Sequence, residues 1–411
     1  MEQVLYPLSD GWTWQPIEKV AQIGADRGFT PKTDSDGNVP FVGMSDIDQE
    51  TGQKSTYELR KFNDVKKGYT KFQPNAVLLA KITPCTENNK TALIHFATGG
   101  YATTEVYPIH AFENLNPKFL MHFFRAPSIR SYLIEKMEGA TGRKRVPLKA
   151  IQQVHIPVCS LLEQKRIVEK LDALLEHIGF AITHLQESIV LAEALVVNGL
   201  DVYFSELSKQ YEECSLIKLV DFVSGYAFKS GDFVADAGVN VIKITNVGVT
   251  EFSENTEEYL PFDYKDKFQN FAAKSDDIVI ALTRPIINGG LKVCRVPESY
   301  EGALVNQRVA AITSENKSLL DFIYWYLQSS RTKNYVLEKS KSLNQPNLSI
   351  TDLKNLSIPL PSNQQALEKV VIDCNNLVSK ARKVKVEVTE KIELLNRLKN
   401  SILESAFKGE L

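Results

Sequence analysis

The sequence lacks the features that mark several classes of protein. Its five cysteines include no CxxC pair, which argues against a disulfide framework and a zinc knuckle. It has no run of about 18 apolar residues and no basic-then-apolar leader, so we expect a cytoplasmic protein. Charge of one sign is not in excess, because 48 basic and 50 acidic residues leave a net charge of −2. The overall charge therefore neither indicates nor excludes a nucleic-acid partner.

Motifs for catalysis are also missing. No GxxxxGK[ST] loop for a nucleoside triphosphate occurs, since the segment 139–144 has a different spacing. Asn116-Pro117-Lys118-Phe119 imitates the Asn-Pro-Pro-Tyr/Phe turn of adenine methyltransferases, but no glycine-rich cofactor loop precedes it. We therefore expect a chain that is not an enzyme by itself. A DNA adenine methyltransferase, a nuclease, and a coiled-coil adaptor without DNA affinity are the alternative interpretations.

What the sequence does contain is a long internal repeat. Residues 17–21 match 217–221, and residues 41–47 match 241–247, both at an offset of 200. Further matches occur in the same order along the chain, at offsets of 201 to 203. They pair residues 77–80 with 278–281, 119–120 with 322–323, 132–133 with 335–336, and 156–158 with 358–360. The period is too long for a solenoid unit, so the repeat predicts a duplicated module with pseudo-two-fold symmetry.

The pattern of each half of the sequence predicts a globular domain followed by one long helix. Residues 75–83 and 277–282 have strand character, and residues 117–137 and 319–339 have helical character. We predict an α+β fold of mixed α/β type, with two similar globular domains. The predicted boundaries are 1–157 for the first domain, 158–212 for a central helical spacer, 213–358 for the second domain and 359–411 for a C-terminal helical spacer.

The two helical segments carry apolar stripes. Apolar residues recur with a mean spacing of 3.6 from Ile167 to Val196 and of 3.5 from Leu367 to Ile402. The first stop signal after the earlier stripe is Asn198-Gly199, so we predict helices over about 162–197 and 363–407. Each stripe needs a partner, and antiparallel pairing of the two helices as a coiled coil supplies it. The predicted seam residues are Ile167, Leu171, Leu174, Ile178, Leu185, Leu377, Val384, Val388 and Leu395.

Short motifs recur at each junction between a domain and its helix. Ile-Pro-Val at 156–158 precedes Glu163-Gln164, and Ile-Pro-Leu at 358–360 precedes Gln364-Gln365. Together with Asp10-Gly11-Trp12, the segments 225–233 and 344–349 and the end 401–411, this pattern resembles the specificity (S) subunits of Type I restriction-modification enzymes. The likeness covers essentially the full chain. It departs from the family at 141–145, where a basic segment replaces the polar loop found at 344–347.

The resemblance implies a non-catalytic subunit that recognises DNA. In that family two target recognition domains, held apart by an antiparallel helical pair, each read part of a bipartite site in double-stranded DNA. Two methyltransferase (M) subunits dock on the helices, and restriction (R) subunits join the complex. The resemblance further implies no cofactor or metal in this chain, with S-adenosylmethionine, ATP and Mg²⁺ on the partner subunits. Because the two domains differ in sequence, we expect an asymmetric site.

Polar and basic residues on predicted loops are the candidates for DNA contact. Arginine and lysine can bond guanine or phosphate, and asparagine and glutamine can bond adenine. In the first domain the candidates are Arg27, Lys32, Thr83, Asn88, Asn89, Lys90, Arg143, Lys144 and Arg145. In the second domain they are Lys229, Lys243, Asn246, Arg284, Asn306, Gln307, Arg308, Lys341, Asn344 and Gln345. The cluster 143–145 is the strongest of these, and we expect it to contact phosphates.

Overall fold

The chain forms two compact units, and each combines a globular part with pieces of two long helices. The structure is a computed structural model that describes residues 3–52, 57–140, 142–254, 258–340 and 346–411. Unit 1 comprises Met1–Leu185 and Thr389–Leu411, and unit 2 comprises Gln186–Val388. We call the globular part of unit 1, residues 3–158, module 1, and that of unit 2, residues 213–359, module 2.

Module 1 is built from short strands and short helices. Its strands are β1 (Thr13–Pro16), β2 (Ala21–Ile23), β3 (Asn38–Val42), β4 (Glu58–Lys61), β5 (Thr70–Phe72), β6 (Ala76–Ala80), β7 (Thr91–Ile94), β8 (Gly100–Ala102), β9 (Val106–Ala111) and β10 (His155–Val158). Its helices are α1 (Ile17–Val20), α2 (Phe62–Val65), α3 (Pro117–Arg125), α4 (Pro127–Glu135) and α5 (Leu148–Gln152).

The helix predicted over 117–137 is in fact two helices, α3 and α4. The break falls at Ala126, whose backbone is extended, with φ −61° and ψ 138°. Proline disfavours helical dihedrals at the residue before it, so Pro127 ends α3 and begins α4.

Two four-stranded sheets form the body of module 1. One has the order β2-β9-β6-β7 and is antiparallel throughout, and its central strand β6 is buried along its whole length. The other has the order β4-β3-β8-β5, and in it β3 and β8 run parallel. Helix α3 packs on the first sheet, with Phe119 and Phe123 buried in the core between them. This packed core fixes the strand ends from which the loops emerge.

The first long helix, α6 (Leu161–Gln210), leads into module 2, and the second, α11 (Gln364–Lys408), follows it. The strands of module 2 are β11 (Glu213–Ser215), β12 (Asp221–Ser224), β13 (Val241–Ile242), β14 (Ile278–Ala281), β15 (Ile286–Ile287), β16 (Gly290–Leu291), β17 (Val293–Arg295), β18 (Leu304–Val305), β19 (Val309–Thr313) and β20 (Ser357–Pro359). Its α-helices are α7 (Tyr264–Lys267), α8 (Lys317–Leu327), α9 (Ser330–Lys339) and α10 (Ile350–Lys354), and 3₁₀ helices occur at Leu216–Lys218, Ser230–Asp232, Gln269–Phe271 and Glu298–Tyr300.

Module 2 repeats the sheet plan of module 1. The order β12-β19-β14-β17 corresponds to β2-β9-β6-β7, and β13 runs parallel to β18 as β3 does to β8. The strand predicted at 277–282 is β14. As in module 1, the helix predicted over 319–339 is a pair, α8 and α9.

The repeat extends to the packing of each module on a helix end. The ring centroid of Phe407 in α11 lies 5.0 Å from that of Phe119, and Phe204 in α6 lies 5.8 Å from Phe322. Phe119 precedes Phe322 by 203 positions, and Phe204 precedes Phe407 by the same number. The duplication that the sequence shows therefore includes tertiary contacts.

A carboxylate from each long helix also caps a helix of a module. Glu404 accepts a hydrogen bond from the backbone N of Ser128 at 2.6 Å, at the start of α4. Asp201 accepts one from the backbone N of Ser330 at 2.6 Å, at the start of α9. Negative charge is favourable at a helix N-terminus, where backbone N–H groups lack partners.

The helix α6 continues well past its predicted end. It runs through Asn198 and Gly199 to Gln210, so the prediction of an end near 197 is wrong. A Cβ at position 199 would lie 2.8 Å from Cδ2 of Leu377 in α11. Glycine therefore permits close helix packing here, which outweighs its intrinsic cost of about 1 kcal/mol in a helix. The bounds of α11 agree with the predicted 363–407.

Within unit 2 the two long helices run antiparallel. Glu193 of α6 forms an ion pair with Lys385 of α11 at 2.7 Å. Later in α6, Tyr203 donates to Asp373, which comes earlier in α11, at 2.8 Å. The predicted seam residues lie as follows: Ile167, Leu171, Ile178 and Val388 are buried, Leu174, Leu185, Leu377 and Leu395 are half-buried, and Val384 is 41% exposed.

The outer face of α6 is rich in apolar side chains. In the part that belongs to unit 2, Val190, Leu191, Leu195 and Val202 are 60–68% exposed. An 18-residue window of α6 has a mean hydropathy of 1.4, enough by length and composition alone for a membrane span, although the sequence shows no uninterrupted apolar run. Exposed apolar side chains that recur along one helix make it a candidate binding surface.

Candidate nucleic-acid interface

Loops collect at one end of each module because several strands begin or end there. In module 1, β3 and β8 finish at the paired residues Val42 and Ala102, and β6 finishes at Ala80, which pairs with Val106 at the start of β9. We call the loops at this end, 43–46, 81–90, 103–105 and 143–145, loop end 1. The corresponding loops of module 2, 243–246, 282–292, 306–308 and 346–347, form loop end 2.

Loop end 1 brings together most of the candidates predicted for the first domain. The backbone N of Thr83 donates to the carbonyl O of Lys144 at 3.1 Å, so the basic segment lies beside the loop 81–90. Arg143, Lys144 and Arg145 are all exposed, and so is Asn88. The backbone N of Arg145 also donates to Glu138 O at 2.8 Å, so the cluster is bonded both to the loop 81–90 and to the residue that precedes Gly139.

Charge at loop end 1 is only partly neutralised. The guanidinium of Arg145 bonds Glu105 at 2.7 Å, yet the Arg145 side chain remains 63% exposed. Beneath it, Lys81 Nζ lies 4.8 Å from the ring centroid of Tyr107, and burial lowers the pKa of Lys81. Glu105 opposes that shift, while the charge of Arg145 adds to it. Arg143 and Lys144 form no ion pair with any residue in the described part of the chain, so they give the surface a positive charge suited to phosphate.

Two candidates of the first domain make contacts inside the protein. Lys90 Nζ donates to the carbonyl O of Met44 at 2.8 Å, and the side chain is half-buried. Asn89 adopts a left-handed backbone conformation, with φ +55°, and its carbonyl O accepts from Arg125 at 3.3 Å. These contacts shape the loop.

Arg125 is a functional candidate that the sequence analysis missed. Its side chain is buried and donates to the carbonyl oxygens of Asn89, Thr91, Gln49 and Glu50 at 2.8–3.3 Å. Burial lowers its pKa to about 10, which still leaves it charged near neutral pH. Its position in a predicted helix did not indicate these contacts, because the loops that it bonds lie far from it in the sequence.

Arg27 and Lys32 lie away from loop end 1. The backbone N of Lys32 donates to Thr98 O at 3.3 Å, just before β8 begins, whereas loop end 1 lies where β8 finishes. The carbonyl O of Arg27 accepts from Lys71 Nζ at 3.0 Å on the same side. Both side chains are exposed, but the structure does not bring them to the other candidates.

Loop end 2 gathers Arg284, Asn306, Gln307 and Arg308. The backbone N of Arg284 donates to Pro346 O at 2.8 Å, and the backbone N of Leu282 donates to Arg308 O at 2.8 Å. Arg284, Gln307 and Arg308 are exposed, whereas Asn306 is half-buried. The predicted residues Lys341, Asn344 and Gln345 fall outside the residues that the structure describes.

The remaining candidates of the second domain differ in their surroundings. Asn246 is buried and bonds the backbone through both ends of its amide, accepting from Lys243 N at 2.8 Å and donating to Ser253 O at 2.7 Å. Lys243 Nζ bonds Glu258 at 2.5 Å and lies over the ring of Phe233. Lys229 is exposed on the segment that follows β12. Asn246 therefore has a structural contact for each polar atom of its side chain.

Within the described ranges, no group of three or more His, Cys, Asp or Glu side chains is arranged to hold a metal ion. The buried thiol of Cys294 has a pKa raised to about 12 by burial, so it is protonated near neutral pH. The polar chemistry at the two loop ends is that of hydrogen bonding and charge, which suits binding.

Comparison with protein families identifies the duplicated module. The model of the Type I restriction modification DNA specificity domain matches twice, at residues 9–190 and 209–387. The chain belongs to this family. Its relatives are named specificity subunits, the non-catalytic components of Type I restriction-modification complexes, which confirms the expectation of a subunit that is not an enzyme by itself.

Curated relatives match over most of this subunit. It is 26% identical to the Type I restriction enzyme EcoAI specificity subunit of Escherichia coli, over 93% of this chain and 80% of the relative. It is 29% identical to the Type I restriction enzyme MjaVIII specificity subunit of Methanocaldococcus jannaschii, over 68% of this chain and 69% of that one.

Solved structures confirm the fold class. A chain from structural work on complex assembly and conformational transition of the type I R-M system superposes with a TM-score of 0.79 at 19% identity, covering 99% of this chain and 100% of the other. The HsdS subunit from Thermoanaerobacter tengcongensis gives a TM-score of 0.61 at 21% identity, with full coverage of both chains. The fold is mixed α/β with two repeated domains, as predicted.

Proposed function

We propose that this specificity subunit reads an asymmetric, bipartite site in double-stranded DNA, with one half-site for each module. The observation that carries the proposal is the pair of loop ends, which share a strand framework but expose different side chains. Arg143, Lys144 and Arg145 stand at loop end 1, and Arg284, Gln307 and Arg308 at loop end 2. Two similar readers with different surfaces imply two different half-sites.

The exposed groups suit the two kinds of contact that DNA offers. Arg143 and Lys144 are free to neutralise phosphates, which gives affinity without sequence preference. Arg284 and Arg308 can present guanidinium groups to guanine, and the amide of Gln307 can bond adenine. Lys90 and Asn246 are assigned to the loop framework, because their polar atoms already bond the backbone.

We further propose that partner subunits dock on the long helices. The exposed apolar side chains of α6 in unit 2 support this proposal, because they suit a helical partner such as a methyltransferase subunit. Restriction subunits then join the assembly in the cytoplasm. S-adenosylmethionine, ATP and Mg²⁺ belong to those partners, and this chain contributes positioning on DNA.

Exchange of one module tests the proposal. Residues 214–355 are replaced by the matching segment of another specificity subunit, and the chimera is expressed with the methyltransferase and restriction subunits. Methylome sequencing should show a motif in which one half-site has changed and the other is retained. A change in both half-sites, or methylation that continues unaltered, would contradict the assignment of one module to each half-site. Purified chain that shifts no DNA with its methyltransferase would favour the adaptor interpretation.

A further inference from the structure

Each module has a tight turn directly after β3 or β13, and the two turns are closed in the same way. In module 1 the Asp46 side chain accepts from the backbone N of Gly43 at 2.8 Å, and Asp46 N donates to Gly43 O at 3.2 Å. In module 2 the Asn246 side chain accepts from Lys243 N at 2.8 Å, and Asn246 N donates to Lys243 O at 3.0 Å. The turns lie 200 positions apart in the sequence.

A lysine from the neighbouring loop fixes each turn at its second residue. Lys90 Nζ donates to Met44 O at 2.8 Å, and Lys292 Nζ donates to Ile244 O at 2.7 Å. Both lysines are half-buried. A hydrogen bond from a charged donor is stronger than one between neutral groups, so each ammonium holds its turn firmly at the loop end.

The third residue of each turn carries a hydroxyl, Ser45 in module 1 and Thr245 in module 2. Both residues are exposed. The hydrogen bonds that close and fix the turns come from the backbone, from Asp46 and Asn246, and from the two lysines, so the turns are complete without these hydroxyls. Stability of the turn therefore does not explain why a hydroxyl stands at the tip in both modules.

The rest of the two loop ends has diverged. The backbone N of Lys81 donates to the carbonyl O of Glu105 at 3.1 Å, and in module 2 the equivalent bond runs from Leu282 N to the carbonyl O of Arg308. An acidic residue in module 1 therefore occupies the position of a basic residue in module 2. Divergence is what reading two different half-sites requires. The sugar-phosphate backbone is the same in both half-sites, so a feature that both loop ends retain suits contact with the backbone.

We propose that these two turns hold the DNA backbone at matching positions of the two half-sites. The hydroxyls of Ser45 and Thr245 donate to phosphate oxygens, and Lys90 and Lys292 are positioning residues that set the height of each turn. The inference rests on the proposed function, because it assumes that both loop ends face DNA. It adds a contact that is independent of sequence and shared by the two modules.

The test compares Ser45→Ala, Thr245→Val and the double variant, each in complex with the methyltransferase subunits. Binding is measured to a duplex carrying the motif found by methylome sequencing and to a duplex with that motif scrambled. Each single variant should bind both duplexes about tenfold more weakly, because a hydrogen bond to a charged group is removed. The methylated motif and the salt dependence should not change, since no charge and no base contact is removed. Ser131→Ala, an exposed hydroxyl on α4, is the matched control and should bind normally.

Two further variants separate positioning from general damage. Lys90→Met should weaken binding as Ser45→Ala does, the two effects should not add, and Lys90→Arg should restore binding. Substitutions at Lys292 and Thr245 should show the same pattern of weakened, non-additive binding. Unchanged affinity in the hydroxyl variants, or a changed base preference at one half-site, would overturn the inference while leaving the proposed function standing. Failure of the wild-type complex to prefer its motif would overturn both.

Discussion

A charged side chain buried beneath loops must be paired, and Arg125 is paired with four carbonyl oxygens. Those oxygens belong to two segments far apart in sequence, 49–50 and 89–91, and the second of these closes the loop 81–90. One guanidinium therefore ties the edge of loop end 1 to the helix α3. At this scale, the shape of loop end 1 depends on a residue that lies outside it.

Replacing Arg125 with Met should lower the free energy of unfolding by roughly 3 kcal/mol or more, since buried carbonyls lose their donors. The control is Arg130→Met on α4, where the side chain is half-exposed and the change should stay within about 0.5 kcal/mol. Urea denaturation of both variants measures the difference. Equal stability of the two would show that the carbonyls find other donors.

His122 should make unit 1 less stable in mild acid. Its side chain is 3% exposed, Nε2 lies 3.0 Å from Asp172 Oδ1, and burial lowers its pKa below the usual 6.5. The unfolded chain then binds a proton that the folded chain does not, so stability is full above about pH 6.5 and falls below it, by at most about 1.4 kcal/mol per pH unit. His122→Gln, which cannot titrate, should show a flatter stability profile between about pH 7 and 5. Parallel profiles for the two proteins would contradict the assignment.

Alanine at Arg143, Lys144 and Arg145 together should weaken DNA binding to any sequence. The slope of log affinity against log salt should fall by about 1 for every phosphate that the variant no longer neutralises. The control is Lys19→Ala on α1, an exposed lysine at the opposite end of the sheet, whose slope should match wild type. Titration of binding at several salt concentrations decides the matter, and an unchanged slope in the triple variant would remove the cluster from the interface.

At the scale of elements, close packing of α6 on α11 depends on the missing side chain at position 199. Gly199→Leu should destabilise unit 2 by about 1–3 kcal/mol, because the new side chain meets Leu377. Adding Leu377→Ala should recover part of that stability, since it vacates the space. A double-mutant cycle by thermal denaturation measures the coupling. Purely additive effects would show that the two residues do not share this contact.

Sequence periodicity was sufficient to predict α11 and the start of α6, because an apolar stripe at helical spacing depends only on local pattern. It could not predict that Gly199 lies inside a helix, since the stop signal is local while the contact with Leu377 comes from a segment far along the chain. The contact of Lys90 with a backbone carbonyl could not be predicted either, because its long side chain lets the ammonium reach either solvent or a carbonyl. The repeat held a usable signal, because Lys292 follows Lys90 by 202 positions and makes the same contact.

At the scale of the whole molecule, the proposed function assigns sequence to the modules and distance to the helices. Inserting four residues after Glu193 in α6 and four after Lys385 in α11, which pair in unit 2, adds about 6 Å at a rise of ~1.5 Å per residue. The methylated motif should keep both half-sites and gain one or two base pairs between them, at ~3.4 Å each. The same insertion in α6 alone should destabilise the protein, because it breaks the register of the pair. A motif with unchanged spacing in the double insertion would contradict the role of the helices.

The division of the chain into units has a consequence for how much of the chain each module needs to complete its core. Unit 2 is one continuous stretch, Gln186–Val388, whereas unit 1 is split, and its core includes Leu403, Ala406 and Phe407 from the last piece. The second module can therefore complete its core without residues 389–411, whereas the first, although earlier in the sequence, cannot. A released fragment that ends at residue 388 should carry a protease-resistant second half and an exposed first half, because it contains all of unit 2 but lacks the last piece of unit 1.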